Sequence, residues 1–236
     1  MIVDTPIVDL YHLDYVIKLT IRNATEIKSF PKRVDYLVCN NNGLKSLPPL
    51  PQELKYLECQ INELQSLPEL PSSLTYLCCN GNVLQSLPKL PQGLKVLYCF
   101  NNKLKSLPEL PEGLCELAIS YNQLQSLPKL PLSLRNLDCS NNQLISLHEL
   151  PQSLVYLTCY NNKLQSLDYL PQSLDHLQCN NNELPYKSFD IQGIRHEQYL
   201  ELKREFEEQK QELEKYKKLS ELDLGNLLYQ SGKQYI

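Results

Sequence analysis

The chain has 236 residues, a formal net charge of -4 from 23 basic and 27 acidic side chains, and an apolar content dominated by 49 Leu, with no Trp, one Met and four Phe. The acidic balance argues against a phosphate backbone as the main partner, which would want a basic stripe, and no run approaches the roughly 18 apolar residues of a membrane helix. So uniform an aliphatic composition points to one small unit copied many times. At the start of the chain, Asp4 and Asp9 interrupt any signal-peptide-like pattern. Ile2, Val3, Ile7 and Val8 are candidates for an edge strand. Residues 14 to 33 read as a worn copy of the unit that follows. Ile17, Leu19, Ala24, Ile27, Phe30 and Pro31 fall on its positions four, six, eleven, fourteen, seventeen and eighteen, and Arg22 stands where the unit has Asn. A degenerate terminal repeat is what capping requires, so residues 1–33 are expected to form an N-terminal cap.

From Val34 the chain repeats every 20 residues without slippage, with units beginning at Val34, Leu54, Leu74, Leu94, Leu114, Leu134, Leu154 and Leu174. The consensus is L-x-x-L-x-C-x-x-N-x-L-x-S-L-P-x-L-P-x-x. Position six is Cys in seven units and Ile119 in the other, and position eighteen is Pro in each complete unit, from Pro51 to Pro171. Positions three to seven alternate as a strand does, so Leu37 and Cys39 face one side while Tyr36, Val38 and Asn40 face the other. A lone strand cannot bury its apolar half, but stacked copies bury a continuous column. Positions one, four, six, eleven, fourteen and seventeen are therefore expected to form the core. Two prolines three residues apart exclude a regular helix from the second half, which reads as an extended convex wall. His148 and Asp168 replace the first of those prolines and loosen the wall there.

Position nine is Asn in all eight units: Asn42, Asn62, Asn82, Asn102, Asn122, Asn142, Asn162 and Asn182. An amide both donates and accepts, so this column suits backbone groups left without ladder partners where each strand ends. The role expected of it is structural. The Cys column is expected to be buried, unbridged core. Parallel side chains in register point alongside one another, and no close Cys-x-x-Cys pair offers converging zinc ligands. Seven unpaired thiols imply a reducing, intracellular compartment. Cys78, at position five, should face outward. No phosphate loop, nucleophile elbow or paired-carboxylate pattern is present, so neither catalytic nor metal residues nor a cofactor are expected.

These units resemble the leucine-rich repeat family in its short twenty-residue form. That form is known from bacterial effectors of the Yersinia outer protein M and Shigella invasion-plasmid antigen type, and from giant-virus proteins. The resemblance covers residues 34–184 and implies a parallel-stranded β solenoid, a horseshoe with a concave sheet and an extended convex side. The effectors that are ubiquitin ligases carry a large helical catalytic domain with a Cys-x-Asp site. Here the last cysteine, Cys179, lies inside a repeat, so an enzyme is not expected.

Beyond Pro185 the composition changes. Residues 195 to 221 lack Pro and Gly, are dense in Glu, Lys and Gln, and space Tyr199, Leu202, Phe206, Leu213 and Tyr216 as a helix would. Residues 185–236 are read as a C-terminal helical cap and tail. A monomer is expected, with dimerisation through residues 195–221 as the alternative.

Function is expected on the outward positions three, five, seven and eight, which escape the core constraint. The partner-binding set read from them is Tyr76, Val96, Tyr98, Phe100, Tyr121, Tyr156 and Tyr160, since Tyr supplies large contact area with a polar tip. The expected function is non-enzymatic binding of a partner protein on the concave sheet, with no nucleic acid and no membrane. The alternative is an adaptor whose terminal helix recruits a second protein such as a ubiquitin ligase.

Overall fold

The computed structural model describes residues 1–147, 149–167 and 170–184, together with 194–195, 201, 204–205, 207–208, 210–212 and 214. The chain divides into two units, Met1–Gly193 and Ile194–Ile236. The first is the solenoid. Its strands are β1 (Ile2–Asp4), β2 (Ile7–Asp9), β3 (Tyr15–Arg22), β4 (Glu26–Ser29), β5 (Arg33–Val38), β6 (Tyr56–Glu58) and β7 (Tyr76–Cys78). They continue with β8 (Val96–Tyr98), β9 (Glu116–Ala118), β10 (Asn136–Asp138), β11 (Tyr156–Thr158) and β12 (His176–Gln178). One parallel sheet takes them in the order β1-β3-β5 and then β6 to β12 in sequence, while β2 and β4 pair separately. Each repeat places its strand beside that of the previous repeat with like positions in register, as in Leu37↔Leu57 and Leu57↔Leu77.

The core follows the period. Positions one, four, six and eleven are sealed: Leu94, Leu97, Cys99 and Leu104 are all 0% exposed. Positions fourteen and seventeen are looser, with Leu87 and Leu90 at 8% and 2%. The returning half of each unit is non-helical among the described residues. It closes on a turn in which the position-eighteen proline carbonyl accepts the N–H of the next first residue, from Leu54 to Pro51 (3.1 Å) through Leu174 to Pro171 (3.1 Å). Where position twenty is Ser, the hydroxyl staples that turn to the one before. Ser73 Oγ donates to the Gln52 and Leu54 carbonyls at 2.8 Å each, and Ser173 repeats the pattern on Gln152 and Leu154.

The N-terminal turn departs from the expected frame. Leu19 pairs with Leu37 in the β3–β5 register, an offset of 18 residues and not 20. Leu19 and Ile21 therefore supply the buried strand positions, at 0% and 1% exposed, while Ile17, assigned to the core, is 62% exposed. The returning half keeps the twenty-residue frame: Ala24 N–H donates to Asn42 Oδ1 (3.0 Å), as Leu44 N–H donates to Asn62 Oδ1 (3.0 Å). Two residues are thus missing between strand and return, and the Asn position is deleted. Arg22 does not occupy it. The first dozen residues contribute β1 and β2, not one edge strand.

His148 and Asp168 lie outside the described residues, as do most of residues 185–236, on which the helical-cap reading falls.

Candidate functional site

The turn after each strand sets the limits of the exposed face. Every position-nine amide bridges two turns. Asn102 Nδ2 donates to the Cys99 and Phe100 carbonyls of its own turn (3.1 and 3.3 Å) and to Cys79 O of the preceding one (3.1 Å), while its oxygen accepts Leu84 N–H (3.0 Å). Asn62, Asn82, Asn122, Asn142, Asn162 and Asn182 repeat the arrangement. Asn42 extends it to the worn turn through Ile21 O at 3.1 Å.

Position eight precedes that amide and is left-handed in all eight turns, with φ between 52° and 60°. It is a turn position, not strand surface, which corrects its reading as unconstrained. Asn41, Asn101, Asn141, Asn161, Asn181 and Gly81 suit that backbone. Ile61 (φ 54°) and Tyr121 (φ 53°) do not, and both side chains stand more than half exposed. Asn141 is also less free than its outward placement suggested, since its Nδ2 is buried and its oxygen accepts from Asn161 at 2.7 Å.

The outward rows at positions three and five hold a continuous aromatic ladder. Tyr36 and Tyr56 centroids lie 5.6 Å apart, Tyr56 and Tyr76 stack at 3.9 Å and 8°, and Tyr76 meets Tyr98 edge-on at 5.8 Å. Register explains it. Tyr36, Tyr56 and Tyr76 are directly paired on adjacent strands, and Tyr98 is the neighbour two residues on. The expected partner-binding set omits Tyr36 and Tyr56, to which the run of Tyr at position three points. Val96 continues the row, and Phe100, at position seven, is 38% exposed. A separate pair, Tyr156 over His176 at 5.1 Å, lies on β11 and β12, with half-buried Tyr160 on the same turn as Tyr156. Six of the seven expected residues therefore fall into two groups, with Tyr121 apart from both in the turn after β9. Strands β9 and β10 between them carry Glu116, Ala118, Asn136 and Asp138.

Carboxylates tie the ladder down. Tyr56 Oη donates to Glu58 Oε1 (2.8 Å), Asn40 Nδ2 donates to Glu58 Oε2 (2.7 Å), and Tyr98 Oη donates to Glu116. Burial, with these acidic acceptors beside them, pushes both phenols well above the ordinary tyrosine range. Both stay neutral donors at physiological pH.

Cys78 is not an accessible thiol. It is 3% exposed, donates to Gln60 Oε1 (2.6 Å) and accepts from Asn80 Nδ2 (3.3 Å). Burial raises its thiol to about 11, the opposite of what activates a cysteine. The column thiols are raised the same way, Cys39 to about 12. All nine cysteines are free. Among the described residues no three His, Cys, Asp or Glu side chains gather as a metal site would require, and no helix is long and apolar enough to cross a membrane.

No family model matches the sequence, nor does any curated protein. Solved structures do. YopM from Yersinia enterocolitica WA-314 is 37% identical over 70% of this chain and 38% of its own, with a TM-score of 0.66. A Shigella effector LRR domain is 33% identical over 68% of this chain and 80% of its own, with a TM-score of 0.57. The functional domain of InlJ from Listeria monocytogenes, which includes a cysteine ladder, is 29% identical over 72% of this chain and 40% of its own, with a TM-score of 0.63. The chain thus spans well under half of YopM and of the InlJ domain.

Proposed function

The chain belongs to the leucine-rich repeat family and resembles its bacterial effectors, and from that premise we propose that it is a non-enzymatic module that holds a partner protein on the concave face of its sheet. The observation that carries this reading is the aromatic ladder Tyr36-Tyr56-Tyr76-Tyr98, extended by Val96 and Phe100. A run of rings on one face supplies large contact area at little entropic cost, and a contiguous aromatic cluster marks a binding surface more often than scattered apolar residues do. The sealed Leu and Cys columns behind it make the face rigid, so little ordering has to accompany binding. Tyr121, Tyr156 and Tyr160 belong to the same proposed surface. The free, buried thiols suit an intracellular setting, and the C-terminal segment is proposed as a helical cap on a monomeric solenoid.

The test is affinity capture from host-cell lysate, followed by titration of the recovered partner. Tyr98→Ala with Phe100→Ala should weaken binding tenfold or more, about 1.4 kcal/mol. Leu132→Ser with Ile145→Ser, which removes two exposed apolar side chains from the returning half, should leave it unchanged. Normal binding by the first pair would reduce the ladder to a stacking device.

A further inference from the structure

We propose that the segment held on this face is extended and cationic, carrying lysine or arginine side chains over the strands and an apolar side chain at the rim. This rests on the concave face being the binding surface and adds the chemistry of what it binds. At positions three, five and seven of the eight turns there are three carboxylates, Glu58, Glu116 and Asp138, and neither a lysine nor an arginine. The repeats' basic residues nearest the sheet sit instead at position two, as Lys55, Lys95 and Arg135, exposed and one residue ahead of strands β6, β8 and β10, and Lys55 already pairs with Asp35 at 3.3 Å. Among the described residues no ion pair engages Glu58, Glu116 or Asp138.

Register sets the dimensions. Glu58 and Asp138 share the position-five row on β6 and β10, and Glu116 stands in the neighbouring row on β9. At about 4.8 Å per strand the row spans roughly 19 Å, the reach of about six extended residues. Tyr56, Tyr76 and Tyr98 lie along the same stretch on β6, β7 and β8; the Tyr56 and Tyr76 faces cover each other at 3.9 Å, so the ladder offers ground for the aliphatic stems of lysine or arginine while the carboxylates take the charge. Hydrogen bonds from Tyr56, Asn40, Tyr98 and Ser140 hold the three carboxylates in place. An ionised carboxylate accepts about four hydrogen bonds, so each keeps capacity for a guanidinium or ammonium group. An acidic segment or a nucleic acid would meet like charge at β6, β9 and β10.

A second observation comes from the rim. Ile61 and Tyr121 hold left-handed backbones that the other turns give to Asn or Gly, and both project into solvent. A Cβ added at Gly81 would lie 3.5 Å from Ile61 Cγ1, so the isoleucine leans across the next turn, which its small residue leaves open. A β-branched residue at such a φ works against the fold, and strain kept at exposed apolar positions points to a contact made outside the chain.

The test is selection from a random library of short peptides on the full chain, with the enriched sequences titrated by fluorescence anisotropy at low and raised salt. Enrichment in Arg and Lys is expected. Glu58→Gln, Glu116→Gln and Asp138→Asn together should weaken the selected peptides tenfold or more and flatten the salt dependence. The matched triple Glu69→Gln, Glu109→Gln and Glu149→Gln in the returning half should not. Ile61→Asn with Tyr121→Asn should weaken binding while raising the denaturant midpoint, which separates lost contact from lost fold. Enrichment of neutral or acidic peptides, or equal weakening by both triples, overturns the proposal. If such peptides still lose binding in the Tyr98→Ala, Phe100→Ala variant, the concave reading survives and only the cationic partner fails. If they do not, both fail.

Discussion

Position eight shows how a backbone requirement can be mistaken for surface freedom. The eight turns hold it at a positive φ, and six of them carry Asn or Gly there. In Ile61 the branched side chain adds to a left-handed penalty of roughly 1–2 kcal/mol. Ile61→Asn is therefore expected to raise the unfolding free energy by about 1 kcal/mol, and the urea midpoint with it, and Asn141→Ala to lower both by a similar amount. Asn102→Ala removes an amide that serves four backbone groups at once, and is expected to cost roughly 1–3 kcal/mol. Denaturant unfolding of the three variants checks the set. A midpoint lowered in Ile61→Asn would contradict the strain argument. The Asn at position nine was legible because its invariance and its place at the strand end both called for an amide. The Asn beside it was not, because an outward polar residue and a left-handed turn residue look alike until the φ angle is known.

At the scale of a single turn, the spacing of Leu and Cys carried the architecture, because positions one, four, six and eleven fall on one buried side of the coil whatever else varies. Ile119 fills the Cys column at 0% exposure, so the column is a steric requirement for a compact apolar group. The N-terminal turn departs from the twenty-residue frame for a physical reason. Deleting two turn residues shifts the strand frame while leaving the return frame intact, so a single offset fits only half of it. The same limit applied to Cys78: alternation placed it on the outward face, but the cover given by Gln60 and Asn80 comes from neighbouring positions that no single repeat reveals. The buried thiols give the stack a pH dependence with a definite sign. In the unfolded chain they release protons near pH 8.5, whereas burial holds those of Cys39, Cys59, Cys99, Cys139 and Cys159 to much higher pH. Below pH 8 the contribution is fully present. Above pH 9 the unfolded chain binds fewer protons than the folded one, so stability falls as pH rises, by up to about 1.4 kcal/mol per unit for each thiol. Urea midpoints should drop steeply from about pH 8 to about pH 10, and Cys99→Ala should show a shallower slope. A flat profile would mean that the thiols already ionise in the folded protein.

For the whole molecule, each turn contacts chiefly its neighbours, so stability accumulates along the stack while the outward rows stay free to vary. That separation lets β6 to β10 carry three carboxylates and a run of tyrosines over buried columns that stay apolar throughout, with Ile119 standing in for Cys once. On the proposed reading the partner lies across these rows. Hydroxyl-radical footprinting of the full chain, alone and with the captured partner, tests it most directly, because it reports on Tyr, Phe, Leu and Ile side chains separately. Tyr56, Tyr76, Tyr98, Phe100 and Tyr121 are expected to be protected by the partner, with Leu132 and Ile145 labelled equally in both states. Protection of Leu132 and Ile145, with the tyrosine ladder labelled as in the free chain, would contradict it.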